Sequence, residues 1–190
     1  NVSLIKEING VHYHPKPEPK KYLTIEALED GLTASLSVNA CEYCIDEDGD
    51  WKTLSANTPT ESINAGQTIS FRGNLIPNYD EGIGTFTISK KCNVLGNIMS
   101  MLFGDDCKDS LNLTDKPYTF YRLFHNCSNI ISAKYLYLPV TTLVSNCYSS
   151  MFENCTSLTT APELPAMTLA KYCYHRMFYG CASLTTAPNL

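Results

Sequence analysis

The sequence predicts a mixed, β-rich chain in two parts: a small antiparallel β-sandwich followed by a short repeat solenoid. Two observations carry that prediction. Between residues 22 and 92, short apolar segments alternate with turn signals about every ten residues, the texture of a sandwich. Further on, residues 138–163 and 164–189 align without a gap at a period of 26 with 15 identities. A fixed period of that size is the mark of stacked units.

Taken in order, residues 1–21 read as an extended, Pro-rich leader. Pro15, Pro17 and Pro19 alternate with other residues, and each fixes its own φ and biases its predecessor toward extended backbone. From Tyr22 the strand signals begin. YLTIEAL alternates, EDG reads as a turn, and LTASLSV alternates again. CEYCI, the acidic turn DEDGD and WKTLSA follow as a hairpin pattern, and AGQTISFRG and GIGTFTISK complete the set over 22–92.

The region 93–190 changes texture. A lead-in segment over 93–119 opens it, and about two and a half repeats fill 120–190. The two full copies share Cys147/Cys173, Met151/Met177, Phe152/Phe178, Cys155/Cys181 and the run Leu-Thr-Thr-Ala-Pro at 158–162 and 184–188. A weaker copy upstream matches at an offset of 28 through Phe124, Asn126, Cys127 and Ala133. One unit cannot bury its own apolar face, but stacked units can, each repeated side chain lying on its counterpart. The spacing of Cys147, Met151 and Cys155 at i, i+4 and i+8 predicts a helical turn with one buried face, and SLTTAP predicts the short strand of each unit.

Composition excludes several classes. Charged residues are 17% and the net charge is −5, with no basic stripe to release counterions from nucleic acid. The longest apolar runs are broken by Pro139 and threonines, so no membrane-spanning segment is expected. The start resembles no signal peptide, and Asn1 reads as the beginning of a trimmed chain, which leaves export open.

The repeats resemble the BspA-like leucine-rich repeats of bacterial, Bacteroides-type cell-surface proteins. Met151-Phe152-Glu153-Asn154-Cys155-Thr156-Ser157-Leu158 and Met177-Phe178-Tyr179-Gly180-Cys181-Ala182-Ser183-Leu184 carry the resemblance. The lead-in GNIMSMLFGDDCKDSLNL is similar to the segment that opens such arrays, and YLTIEALEDG to the small β-domain that precedes them. The resemblance implies an exported, cell-surface or outer-membrane-associated adhesion protein that binds a host or bacterial protein or glycan. It implies no reaction and no cofactor. With so few units, the binding surface is shorter than in longer arrays.

Nine cysteines is an odd number. The columns Cys127/Cys155/Cys181 and Cys147/Cys173 suit free, buried thiols beside Met and Phe, whereas Cys92 and Cys107 form the best candidate disulfide pair. Cys41-x-x-Cys44 lacks a second ligand pair, and on a strand its side chains point to opposite faces, so no metal site is expected. His125 and His175 occupy variable turn positions with no fixed relation to a cysteine, and no catalytic residue is assigned. The acidic turn at 46–50 lacks a calcium-loop register.

Binding residues are sought where the copies differ, because repeat proteins hold stacking positions fixed and vary exposed ones. Those differences introduce Tyr172, His175, Arg176 and Tyr179, of which Tyr and Arg are favoured contact residues. The function expected is a non-catalytic interaction or adhesion module. An alternative makes the β-domain a carbohydrate-binding module with Trp51 as its platform and the repeats as spacer. A last repeat with an unpaired end would also invite homodimerisation.

Overall fold

A computed structural model describes residues 6–8, 11–13, 18–38 and 40–188, the first two segments by their backbone alone. The chain is β-rich, with both mixed and antiparallel sheets. Within the predicted leader, β1 (Lys6–Ile8) and β2 (Val11–Tyr13) pair antiparallel, Lys6 opposite Tyr13. The proline stretch at 15–17 lies outside the described residues.

Each alternating segment over 22–92 contains a strand: β3 (Leu23–Ala27), β4 (Ala34–Leu36), β5 (Cys41–Ile45), β6 (Lys52–Leu54), β7 (Thr68–Arg72) and β8 (Phe86–Ile88). They are followed by β9 (Cys92–Asn97), one helical turn α1 (Ser100–Phe103) and β10 (Ile130–Tyr137). A six-stranded sheet runs β10-β9-β3-β7-β5-β6, and β4 pairs with β8 in a separate sheet. The EDG turn therefore does not join a hairpin: β3 and β4 part, because β3 is claimed on both edges by β7 and β9. The two sheets meet through Phe71 on β7 and Phe86 on β8, edge to face at 5.0 Å.

The boundary drawn at 92/93 falls inside β9, whose parallel partner β10 belongs to the region of the repeats. One buried cluster extends from Leu23 through Phe86 and Phe124 to Cys181. Gly96 on β9 packs directly against the backbone that leads into β3. It has φ of 83°, and a β-carbon there would collide with the Tyr22 carbonyl.

The three copies lie against one another in register. Phe86, Phe124, Phe152 and Phe178 form a column of parallel rings at 5.6, 5.3 and 5.7 Å. Phe120, Tyr148 and Tyr174 form a second at 5.6 and 5.9 Å. The helical turn predicted for CYxxMFxxC is not formed. A residue with positive φ recurs at every fourth position, at Tyr118, Arg122 and Asn126, at Asn146, Ser150 and Asn154, and at Tyr172, Arg176 and Gly180. Each interrupts the right-handed run, so that alternate N–H groups face the neighbouring copy instead of the chain behind. Phe120, Arg122 and Phe124 donate to the carbonyls of Cys147, Ser149 and Met151, and Tyr148, Ser150 and Phe152 to those of Cys173, His175 and Met177. A period of four also keeps i, i+4 and i+8 on one side, so Cys147, Met151 and Cys155 are all buried as expected.

The strand predicted in every SLTTAP is not formed. At 157–162 it is reduced to one isolated parallel bridge, Thr160 to Ser132, and at 183–188 there is none. A second isolated bridge joins Thr142 to Thr168 in the preceding links. Only the first copy extends a strand, β10, because only it has β9 beside it. No helix among the described residues is long and apolar enough to cross a membrane.

Candidate binding surface

The recurring left-handed positions and their neighbours form one side of the three copies, open at the outer copies, whereas Ser149, Ser150 and Glu153 of the middle copy are buried. Along this face, position by position, the copies offer Tyr118/Asn146/Tyr172, Tyr121/Ser149/His175, Arg122/Ser150/Arg176 and His125/Glu153/Tyr179. The outer copies present large side chains and the middle copy small ones. The result is a saddle of about 400 Å³ with Tyr118, Tyr121 and Arg122 on one wall and Tyr172, His175 and Arg176 on the other. Asn146, Ser149, Ser150 and Glu153 make the floor, and Asp80 reaches the rim from the β-region.

Ring packing stiffens both walls. Tyr118 leans on Tyr79 at 4.9 Å and meets Tyr121 edge to face at 5.6 Å. Its hydrogen bond with Tyr79 pushes the Tyr118 phenol up to about 12, with a smaller contribution from Asp80. The Arg122 guanidinium lies 4.9 Å over Tyr121. On the opposite wall, Tyr172 meets His175 at 5.5 Å and Arg176 lies 4.3 Å over Tyr179. Arg176 also pairs with the buried Glu153 carboxylate at 2.7 Å. Burial first, then the Arg122 charge, pushes the His125 imidazole down.

Four of the five residues singled out from the sequence thus come together. Tyr172, His175 and Arg176 line the saddle, and Tyr179 stacks behind Arg176. The opposite wall was missed. Its residues belong to the weak first copy, where the offset of 28 and the small number of identities hid the correspondence. The signal was the same variable-position rule applied to 118–126.

Trp51, the alternative platform, is not among the residues lining the saddle. Tyr22 meets it edge to face at 4.8 Å, and the Arg72 guanidinium covers its ring at 4.1 Å. Arg72 is held there by Glu42 and Asp105, each at 2.8 Å. A sugar stacking on that face would have to displace a doubly paired arginine.

All nine cysteines are free and buried. The Cys92–Cys107 disulfide is not made: Cys92 sits in the core, and the Cys107 Sγ donates to the Lys21 carbonyl at 3.2 Å. In the repeat column each thiol has the same job. Cys127, Cys155 and Cys181 donate to the main-chain carbonyls of Phe86, Phe124 and Phe152 at 3.0 to 3.1 Å, each one step back along the phenylalanine column. Burial pushes the Cys41, Cys127 and Cys147 thiols up to about 12, and the Cys155 thiol higher still. Cys41 belongs to the core cluster, whereas Cys44 donates to Asp48 at 3.1 Å. Among the described residues no three His, Cys, Asp or Glu side chains are grouped to hold a metal ion.

A second cavity, of about 770 Å³, lies against β10 between Lys20, Lys108, Lys134 and Tyr137. Its rim passes through Glu18 and Pro19, next to the undescribed residues 14–17, and it carries no functional reading.

No family model, curated protein or solved structure matches the chain.

Proposed function

We propose that the chain is a non-catalytic interaction module whose repeats stack as a short BspA-like leucine-rich solenoid on a β-sandwich domain, and that it adheres to a surface protein or glycan through its saddle. One observation carries the reading. Four of the positions at which the copies differ, 146/172, 149/175, 150/176 and 153/179, lie together on one side of the stack, while the cysteine, methionine and aromatic positions they share pack in the core. Backbone conformation supports it. Tyr118, Arg122, Tyr172 and Arg176 hold φ of 54–60°, where glycine and asparagine are at ease and bulky side chains are not. Strain of that kind persists where the side chain serves a purpose.

Catalysis has less to stand on. A cysteine nucleophile must ionise, and burial holds these thiols protonated. Ser149 Oγ donates to the main-chain carbonyl of His175 at 3.2 Å and not to its imidazole. Export to the cell surface belongs to the same proposal and rests on the resemblance of the repeats.

The test is a binding screen on arrays of glycans and host-surface proteins. Selective binding, lost when Tyr172, Arg176 and Tyr179 are changed together, is the expected result. Binding lost with Trp51 instead would transfer the function to the β-domain. Silence on both arrays would overturn the reading.

A further inference from the structure

The chemistry of the saddle narrows what it can hold. No aliphatic side chain lines it, so it offers no anchor pocket for a Leu or Ile of a peptide. Nor does its floor offer a strand edge. The N–H groups of Asn146 and Ser150 are spent on Lys171 and His175 of the next copy, and the carbonyl of Ser149 accepts from Arg122. An extended peptide has no backbone partner there. What remains is a slot between tyrosine walls two copies apart, roughly 10 Å at one strand spacing per copy. Its floor offers the Asn146 amide over the buried Ser149, Ser150 and Glu153. Of these, Ser149 donates to the His175 carbonyl and Glu153 pairs with Arg176, and the walls add the His175 imidazole and the Arg122 guanidinium. Aromatic faces beside hydrogen-bonding groups suit a pyranose ring, which has an apolar C–H face and a rim of hydroxyls.

The two arginines are not equivalent. Arg176 is neutralised by Glu153. Arg122 makes no ion pair among the described residues, and its guanidinium is held by stacking on Tyr121 at the mouth of the slot. A planar, pre-oriented guanidinium is the group that takes an oxyanion with two parallel hydrogen bonds. Asp80 is the opposing charge on the rim.

We propose that the saddle binds an acidic saccharide, its sugar ring between the tyrosine walls and its carboxylate or sulfate on Arg122. This rests on the adhesion reading above and names its ligand class. Asp80 then acts against the ligand and limits affinity.

The experiment is isothermal titration of the full chain with four probes: a uronic-acid tetrasaccharide, its carboxyl-reduced counterpart, a sulfated neutral disaccharide and a hexaglutamate peptide. Binding of the uronic-acid or the sulfated probe, about tenfold or more stronger than the reduced one, is expected. Arg122→Ala should remove that preference at unchanged melting temperature, and Asp80→Asn should tighten binding several-fold, which a purely structural role for either residue would not produce. Equal binding of acidic and reduced saccharides overturns the acid specificity. Binding of hexaglutamate without either acidic sugar overturns the saccharide, as does binding of none of the probes. In each of these cases array binding lost with Tyr172, Arg176 and Tyr179 would still uphold adhesion, whereas silent arrays would remove both proposals.

Discussion

At the scale of single residues, three side chains make the clearest predictions. Tyr148 is fully buried in the second ring column, and its hydroxyl has no hydrogen-bond partner among the described residues. Phe120 fills the same place one copy earlier. Tyr148→Phe should therefore stabilise the fold by about 1 kcal/mol, read as a higher urea midpoint at unchanged slope. A lower midpoint would mean that the hydroxyl has a partner. Cys155 gives the Phe124 carbonyl its second hydrogen bond, the first coming from the Cys127 N–H. Serine keeps a donor there and alanine does not, so Cys155→Ser should be more stable than Cys155→Ala by about 0.5–1 kcal/mol. Tyr172 is exposed in the left-handed region. Tyr172→Gly should raise stability by about 0.5 kcal/mol while weakening binding, a trade that a merely unconstrained surface residue would not show.

At the scale of elements, a backbone period of four and the helical period of 3.6 share one apolar signature. Apolar residues at i, i+4 and i+8 satisfy both, and the sequence signal that separates them lies in the left-handed positions. Asn146, Asn154 and Gly180 are residue types that tolerate positive φ and could have been read so; Tyr118, Arg122 and Arg176 could not. The strands β3 to β8 were legible because alternation is local, and the β5–β6 hairpin because its acidic turn is. The β1–β2 pair was passed over although Asn9-Gly10, a favoured hairpin dipeptide, stands between them in the sequence. Gly96 shows how tightly one element depends on another. Gly96→Ala would drive a methyl into the Tyr22 carbonyl beside β3, and a loss of about 3 kcal/mol or more is expected from chemical denaturation.

For the whole molecule, the continuous core ties stability to pH through its thiols. In the unfolded chain a cysteine ionises near its ordinary value of about 8.5. In the folded chain Cys41, Cys127 and Cys147 hold their protons to about 12. Below about pH 8.5 both states are protonated and these groups contribute no pH dependence. Above it the unfolded chain binds fewer protons, so stability falls as pH rises toward 12. Each thiol withdraws roughly 1.4 kcal/mol per pH unit, and three of them exhaust a typical stability within about three units. Cooperative unfolding near pH 11, followed by circular dichroism, is the expected outcome, and a flat profile from pH 8 to 12 would contradict the burial of the thiols. A thiol reagent at pH 8 should leave the native chain unlabelled and modify all nine cysteines after denaturation.

The internal repetition and the positions of β3 to β8 were determined by the sequence alone, because periodicity and alternation can be read along the chain, and divergence between copies picked out four residues that the fold brings to one side. Three features were decided only in three dimensions. The first is the parallel pairing of β9 with β10, which joins the two regions into one core. The second is the covering of Trp51 by Arg72, a residue 21 positions away. The third is the saddle, whose first wall comes from the weakest copy. Each depends on which distant side chains the stacking brings side by side, and a pairing between distant segments leaves no mark on either segment by itself.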